Sequence, residues 1–382
     1  MSKQPETITL PAAVDVHVHL REPGTNSAET IASGTKAALL GGYVLVCDMP
    51  NNPGRETWDL ERLREKHGII NRTAFIPVAT YAGSQPESDN IGELEAMAAE
   101  SIGLKIYGAV TTGNERDYEA RDFEEIVKKW HEHAPDKPIM LHSGSENLED
   151  FIELIAVKNA QPLHVCHVNS PVDVGLVTKA KERGQPVTCG VCPHHLLKTS
   201  HDISTQGWYA EMRPPLAHQD DAEALMALLA SGDIDIVETD HAPHSFIAKD
   251  TAEQENPMHI YDEGYKTCFG VPGVDFALPL LFYQARRGKI TMERLVEAIS
   301  TKPADIIGIK LSPDTDVSWR MEQFRIDNES RQIESGSSWT PYLGMLAVGK
   351  MEGLRIAGKT IAVGLSVKQR HAGVITDRGA II

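Results

Sequence analysis

The chain has few cysteines, no long apolar run and no excess of positive charge. Its five cysteines (Cys47, Cys166, Cys189, Cys192, Cys268) are odd in number and scattered over 382 residues. That pattern excludes a disulfide framework. Cys189 and Cys192 form a lone CxxC with no second pair nearby, so they are read as residues on or beside a buried strand. No apolar stretch reaches the length of a membrane span. Met1–Leu10 is polar and lacks the apolar core of a signal peptide, so a cytoplasmic protein is expected. A formal net charge of −17 argues against nonspecific binding to nucleic acid or anionic membrane. It does not exclude an anionic substrate, because one buried arginine sets a local potential better than the global sum. Internal repeats and low-complexity tracts are also missing.

What is present is ordinary globular composition, 41% hydrophobic and 24% charged, in a chain long enough for one large α/β barrel or two ordinary domains. Short β-branched runs recur at Ala12–Val18, Tyr43–Met49, Thr73–Ala79, Gly103–Tyr107, Pro138–His142, Pro162–Val168, Pro186–Cys192 and Ile234–Asp240. Between them lie segments with apolar residues at three- and four-residue spacing, such as Glu29–Leu40, Asp122–His133 and Val172–Arg183. Strand–helix alternation means βαβ units and parallel strands. Eight units predict a (β/α)8 TIM barrel of the α/β class. An open doubly wound sheet is the competing architecture, but no glycine-rich phosphate fingerprint follows the first strand. A Pro/Gly/His-rich loop is expected from Asp240 to about Gly273, and 320–336 reads as a polar loop. The predicted division is a barrel over 1–302 and a small extended β satellite over 303–382 that packs on it.

Barrel enzymes carry their chemistry at the C-terminal ends of the strands. The first run reads Asp15-Val16-His17-Val18-His19-Leu20-Arg21, and strand alternation points His17, His19 and Arg21 to one side. Strand two ends in Asp48-Met49-Pro50-Asn51, and strand four carries Lys105. Strands five and six end in His142 and His167, and strand eight ends in Asp240-His241-Ala242-Pro243-His244. Isolated histidines are usually packed, hydrogen-bonded residues; four of them with an aspartate and a lysine at one rim point to metal. Imidazole and carboxylate suit zinc: His17, His19 and Asp240 for one ion, His142 and His167 for a second. A bare Lys105 ammonium would repel both ions, so it faces away, is neutralised or is converted to an anion. Solvent held between two ions is a strong nucleophile near neutral pH, and Asp240 could carry its proton to a departing nitrogen. This chemistry is hydrolysis of an amide-like bond.

The stretches Asp15–Gly24 (DVHVHLREPG), Met49–Asn51 (MPN), Gly103–Tyr107 (GLKIY), Cys166–Val168 (CHV), Pro193–Leu196 (PHHL), Met212–Leu216 (MRPPL), Thr239–His244 (TDHAPH) and Gly270–Gly273 (GVPG) resemble class I dihydroorotases of the amidohydrolase superfamily. The similarity runs in order from about residue 12 to residue 300, and is greatest to the dihydroorotase domain of the multifunctional pyrimidine-synthesis protein. The resemblance implies a dihydroorotase, which reversibly closes N-carbamoyl-L-aspartate to L-dihydroorotate in de novo pyrimidine biosynthesis. It implies two Zn2+ ions, His17, His19 and Asp240 on the first and His142 and His167 on the second, bridged by a carboxylated Lys105. It implies a zinc-activated hydroxide with Asp240 as general acid and base, and Arg21, Asn51 and His244 on the substrate carboxylate. Thr111 and Thr112, after strand four, are candidate lid residues; a plain loop is the competing reading. A homodimer and an aspartate transcarbamoylase partner also follow from the resemblance.

Three positions depart from the family pattern. Gly190 stands where members often have an acidic residue that some use for an additional metal, so two ions are expected. His142-Ser143-Gly144 replaces the more usual His-Ala-Glu. The usual N-terminal β-segment of stand-alone relatives is expected to be absent. His164, three residues before His167, is expected to face the helices. Allantoinase and dihydropyrimidinase share barrel and metals, but their substrates lack the ring carboxylate that Arg21 and His244 would bind. A non-catalytic partner of aspartate transcarbamoylase is the remaining alternative, and it would not need every metal ligand retained.

Overall fold

The computed structural model describes residues 5–24, 28–52, 54–112, 114, 116–259, 267–327 and 333–382. One strand, β1 (Thr7–Pro11), precedes the barrel. The barrel strands are β2 (Ala13–Val18), β3 (Tyr43–Asp48), β4 (Pro77–Gly83), β5 (Gly103–Tyr107), β6 (Ile139–His142), β7 (Leu163–Val165), β8 (Val187–Val191) and β9 (Ile236–Val237). They pair in parallel and in chain order. Every residue of β2 to β7 is buried, because helices cover the outer face and side chains fill the inner one. The covering helices include Ile31–Gly41, Leu60–Thr73, Glu124–His133, Pro171–Glu182 and Gln219–Ser231. Several start where the side chain of Thr30, Asp59 or Ser170 accepts a first-turn N–H. Among the described residues no helix is long and apolar enough to cross a membrane.

The seam between β2 and β9 closes through both backbone and side-chain bonds. Val18 bridges His241, and His19 N donates to His241 O at 2.8 Å. Asp15 accepts from Thr239 N at 3.1 Å and from Thr239 Oγ1 at 2.5 Å. The carboxylate thus stands in for ladder bonds that the two-residue β9 is too short to supply.

Lys66 fixes the rim beside β2 and β3. It is fully buried, and its Nζ lies 2.5 Å from Asp48 Oδ2 and 3.1 Å from Met49 O. Asp48 Oδ1 in turn accepts from Leu20 N at 2.8 Å, next to Arg21. Lys66→Met is therefore expected to leave a buried, unpaired carboxylate and to lower unfolding stability by about 3–5 kcal/mol, read by denaturant titration.

The remaining strands form a five-stranded antiparallel sheet in the order β1, β10 (Asp316–Arg325), β11 (Leu346–Ile356), β12 (Lys359–Val363) and β13 (Ser366–Val367). This satellite corrects two expectations. An N-terminal strand is present, and it pairs with β10 from Thr7–Arg320 to Pro11–Asp316. Much of the polar stretch from 320 belongs to β10; 328–332 lie outside the described residues. Trp319 on β10 is buried and meets Phe282 of the Ala277–Arg286 helix edge-on at 5.1 Å between ring centroids, tying the sheet to the barrel. A further short strand, β14 (Gly373–Ile375), joins the N-terminal half of β4. The expected loop after Asp240 contains a helix, Phe246–Glu255, started by the Ser245 side chain; its 260–266 part lies outside the described residues.

Candidate active site

The strand ends bring His17, His19, Arg21, Asn51, Lys105, His142, His167, Asp240 and His244 to one rim. Asp15, His17 and His19 share the inner face by alternation. Arg21, His167 and Asp240 each leave their strand at positive φ (61°, 39° and 45°). Left-handed backbone at a non-glycine residue is strained, and such strain concentrates where side chains must be aimed.

Ligand atoms of His17, His19 and Asp240 all lie within 4.8 Å of one another. Asp240 Oδ1 is 2.9 Å from His19 Nε2 and 3.3 Å from His17 Nε2. On the other side, His142 Nδ1 and His167 Nε2 are 2.9 Å apart, and the His17 and His167 rings are 5.0 Å apart between centroids. Two sets of donors, joined through His17, therefore face each other. Lys105 is fully buried between β4 and β6; its Nζ donates to Cys166 Sγ at 3.3 Å and lies 5.1 Å from the Tyr107 ring centroid. It has no carboxylate partner among the described residues. A buried ammonium without a counter-charge is costly. Imidazole, carboxylate and a lysine that can be neutralised are a donor set that fits divalent metal.

Arg21 is 2% exposed. Its Nη1 reaches Asn51 O at 3.4 Å, its Nε has no hydrogen-bond partner, and no carboxylate pairs with it among the described residues. Asn51 is engaged at both ends of its amide. Oδ1 accepts from His19 Nδ1 at 2.7 Å, and Nδ2 donates to Thr112 O at 3.0 Å. A direct contact from Asn51 Nδ2 to substrate would require the Thr112 bond to open. Thr112 Oγ1 donates to Phe269 O at 3.1 Å, and Thr111 bridges Asn114, so the candidate lid loop lies over Asn51. His244 Nε2 donates to the same Phe269 oxygen at 2.6 Å, which leaves Nδ1 as its free ring position. A cavity of about 450 Å³ opens beside His142 and is lined by Ser143, Asn169, Arg213 and Pro214. A larger apolar cleft of about 770 Å³ beside Tyr209, Phe246 and Trp339 contains none of the rim histidines. Of the two, only the smaller is lined by a rim histidine, His142.

The structure corrects His164 and adds Glu238. His164 faces inward: its Nδ1 lies 2.8 Å from Thr188 Oγ1 and its Nε2 3.5 Å from Glu238 Oε2. A three-residue offset puts His164 and His167 on opposite faces only in a regular strand, and the positive φ at His167 breaks that regularity. Glu238 is buried against His17, with Oε2 3.3 Å from Nδ1. The signal for it was available: Glu238 is two residues before Asp240 and shares its face. Two further groups lie close enough to hold an ion, His17–Cys166–Glu238 and Cys192–His194–His195.

Burial favours the neutral form of His19, His142, His167 and His195. His19 and His142 are lowered to about 3 and His195 to about 4, in each case chiefly by burial. Burial pushes the Asp240 carboxyl up, but His17 and His19 more than offset it and leave it well below the usual carboxylate range. An unfolded histidine titrates near ~6.5, so between pH ~4 and ~6.5 the unfolded chain binds more protons, and stability rises with pH. Asp15, pushed up to about 7 chiefly by burial, opposes this over the same window. Three histidines outweigh one aspartate. The metal-free chain is expected to melt at steadily lower temperature as pH falls from about 7 to about 4; a calorimetric midpoint that stays level or rises would contradict this.

A sequence profile of the amidohydrolase family matches residues 8–312. The chain belongs to the amidohydrolase family. It is 32% identical over 385 residues to a dihydroorotase of Staphylococcus epidermidis, covering 92% of this chain and 87% of that protein. It is also 32% identical over 354 residues to the multifunctional protein CAD of Squalus acanthias, covering 92% of this chain but spanning only 15% of that protein. Among solved structures, the L-hydantoinase (dihydropyrimidinase) of Arthrobacter aurescens superimposes with a TM-score of 0.80 at 22% identity, over 98% of this chain and 88% of that one. An inactive dihydroorotase-like domain of a Chaetomium thermophilum CAD-like protein gives 0.74 at 19% identity, over 97% and 98%. Both establish a shared fold. As an amidohydrolase the chain is a hydrolase of a metal-dependent family, and its rim supplies the residue groups such an ion needs.

Proposed function

We propose that this amidohydrolase is a dihydroorotase, which opens L-dihydroorotate to N-carbamoyl-L-aspartate and closes it again. The observation that carries this reading is Arg21, a buried guanidinium that pairs with no carboxylate among the described residues and stands beside a metal-type cluster. A substrate carboxylate would complete it, because the planar fork matches a carboxylate bidentately. Neutral rings such as hydantoin, allantoin or dihydropyrimidines have nothing to offer there. Arg213 lines the adjacent cavity and adds positive potential to the same mouth.

His17, His19 and Asp240 would hold one divalent ion and His142 and His167 a second, zinc being the best fit, with Lys105 carboxylated between them. When bound, the ions would polarise the scissile carbonyl and lower the pKa of the attacking water. In ring opening, water oxygen bonds to the ring carbonyl carbon and the carbon–nitrogen bond breaks. Asp240 takes the proton from the water and delivers it to the departing nitrogen. A carboxylate is ionised near neutral pH and so can start as a base, and the positive φ of Asp240 aims it toward His17 and His19. Arg21 and His244 Nδ1 would anchor the ring carboxylate, with Asn51 orienting His19. Carboxylation would relieve Lys105 of a buried positive charge. Association with an aspartate transcarbamoylase and a homodimer are parts of the same proposal; the multifunctional relative, of which the chain matches 15%, is consistent with work alongside other enzymes.

Ring closure joins a carboxylate to a neutral nitrogen and so takes up one proton. The zinc-loaded chain is therefore expected to bring N-carbamoyl-L-aspartate and dihydroorotate to one common mixture from either side, shifting about tenfold toward the ring for each pH unit lowered. Failure to interconvert them with metal bound would overturn the reading.

A further inference from the structure

Glu238 takes no part in the steps above. It is fully buried, and a carboxylate in that position needs donors around it. His167 N donates to Oε1 at 2.5 Å. Oε2 lies 3.3 Å from His17 Nδ1 and 3.5 Å from His164 Nε2. The backbone donor comes from the β7 end and the two imidazoles facing Oε2 from β2 and β7, so a residue just beyond β9 gathers parts of two other strands.

The space for this carboxylate comes from β8. A Cβ on Gly190 would lie 2.5 Å from Glu238 Oε1 and 2.8 Å from its Cδ. Gly190 is not among the glycines at positive φ, so its backbone does not call for glycine. Space does. A side chain at 190 and the carboxylate of Glu238 compete for one volume.

We infer that Glu238 is a positioning residue that aims His17 and His167, and that Gly190 is glycine because Glu238 fills its side-chain space. The inference rests on the proposed reading of these two histidines as metal ligands. A carboxylate oxygen 3.3 Å from His17 Nδ1 favours the proton on that nitrogen, which leaves the Nε2 lone pair directed to the side where Asp240 Oδ1 stands 3.3 Å away. The bond to His167 N pins the residue at its strained φ of 39°, which turns its ring toward His142. His164 Nε2 stands 3.5 Å from the same carboxylate. A carboxylate entering from the end of β9 thereby holds the place that a side chain on β8 would otherwise occupy.

The test measures Zn2+ affinity of the stripped full chain by competition with a chromophoric chelator, with the Co2+ absorption spectrum and thermal unfolding as parallel readouts. Glu238→Ala is expected to weaken Zn2+ binding by about 10- to 100-fold and to alter the Co2+ spectrum. Glu238→Gln is expected to fall between it and the parent, and serves if the alanine variant does not fold. Gly190→Asp alone places two carboxylates in one volume and is expected to weaken metal binding as well. Combined with Glu238→Ala, it returns a carboxylate to the same place from β8, and affinity is expected to recover to within a few-fold of the parent. Parental affinity and spectrum in Glu238→Ala, or free tolerance of Gly190→Asp in the parent, would overturn the inference alone. Unchanged metal binding in His17→Ala would overturn the site reading, and the inference with it.

Discussion

Asp240→Asn is expected to lower turnover of dihydroorotate by about 10²- to 10⁴-fold, the range that a positioned acid–base group supplies. Asparagine keeps the size and one oxygen of the aspartate. It cannot accept the water proton or return it to nitrogen. The imidazoles at 2.9 and 3.3 Å from Oδ1 would then face a neutral oxygen, so the variant should also bind metal less tightly. Measuring kcat at saturating zinc separates the two effects. A variant that is fully metal-loaded and retains kcat within a few-fold of the parent would remove Asp240 from the proton transfers.

Arg21→Ala has the second large effect. Removing one partner of a buried, hydrogen-bonded charge pair costs about 2–5 kcal/mol, which converts to roughly 30- to several-thousand-fold in kcat/KM for dihydroorotate. The loss should fall mainly on KM, with metal content unchanged. Arg21 pairs with no carboxylate among the described residues, so its removal orphans none of them. Arg21→Lys should recover only part of the loss, because a point charge cannot reproduce the planar fork. Kinetics for dihydroorotate that are indifferent to both substitutions would mean that another group holds the carboxylate.

Much of this site was legible along the chain. His17 and His19 are recognisable because strand alternation is local, and their separation of two residues is enough to put them on one face. The eight barrel strands were legible for a similar reason: apolar runs punctuated by helical spacing need no knowledge of distant partners. What escaped depended on distant contacts. Thr7–Pro11 does alternate polar with apolar, but its pairing partner lies about three hundred residues away on β10. The Arg320–Arg325 segment is polar because it forms part of a sheet with an exposed face. His164 was misdirected by a single backbone angle at His167. Glu238 was passed over because its meaning lies in the space beside Gly190, and neither residue announces that on its own. Asn51 illustrates a further limit. Its position at the rim was readable, but its engagement with His19 and Thr112 was not.

The most direct test offers the zinc-loaded chain four cyclic amides side by side, with metal content determined on the same sample: L-dihydroorotate, dihydrouracil, hydantoin and allantoin. The expected result is ring opening of dihydroorotate far ahead of the three neutral rings, because only that substrate gives Arg21 a carboxylate. Equal or faster opening of a neutral ring, or no turnover of dihydroorotate by fully loaded protein, would contradict the account.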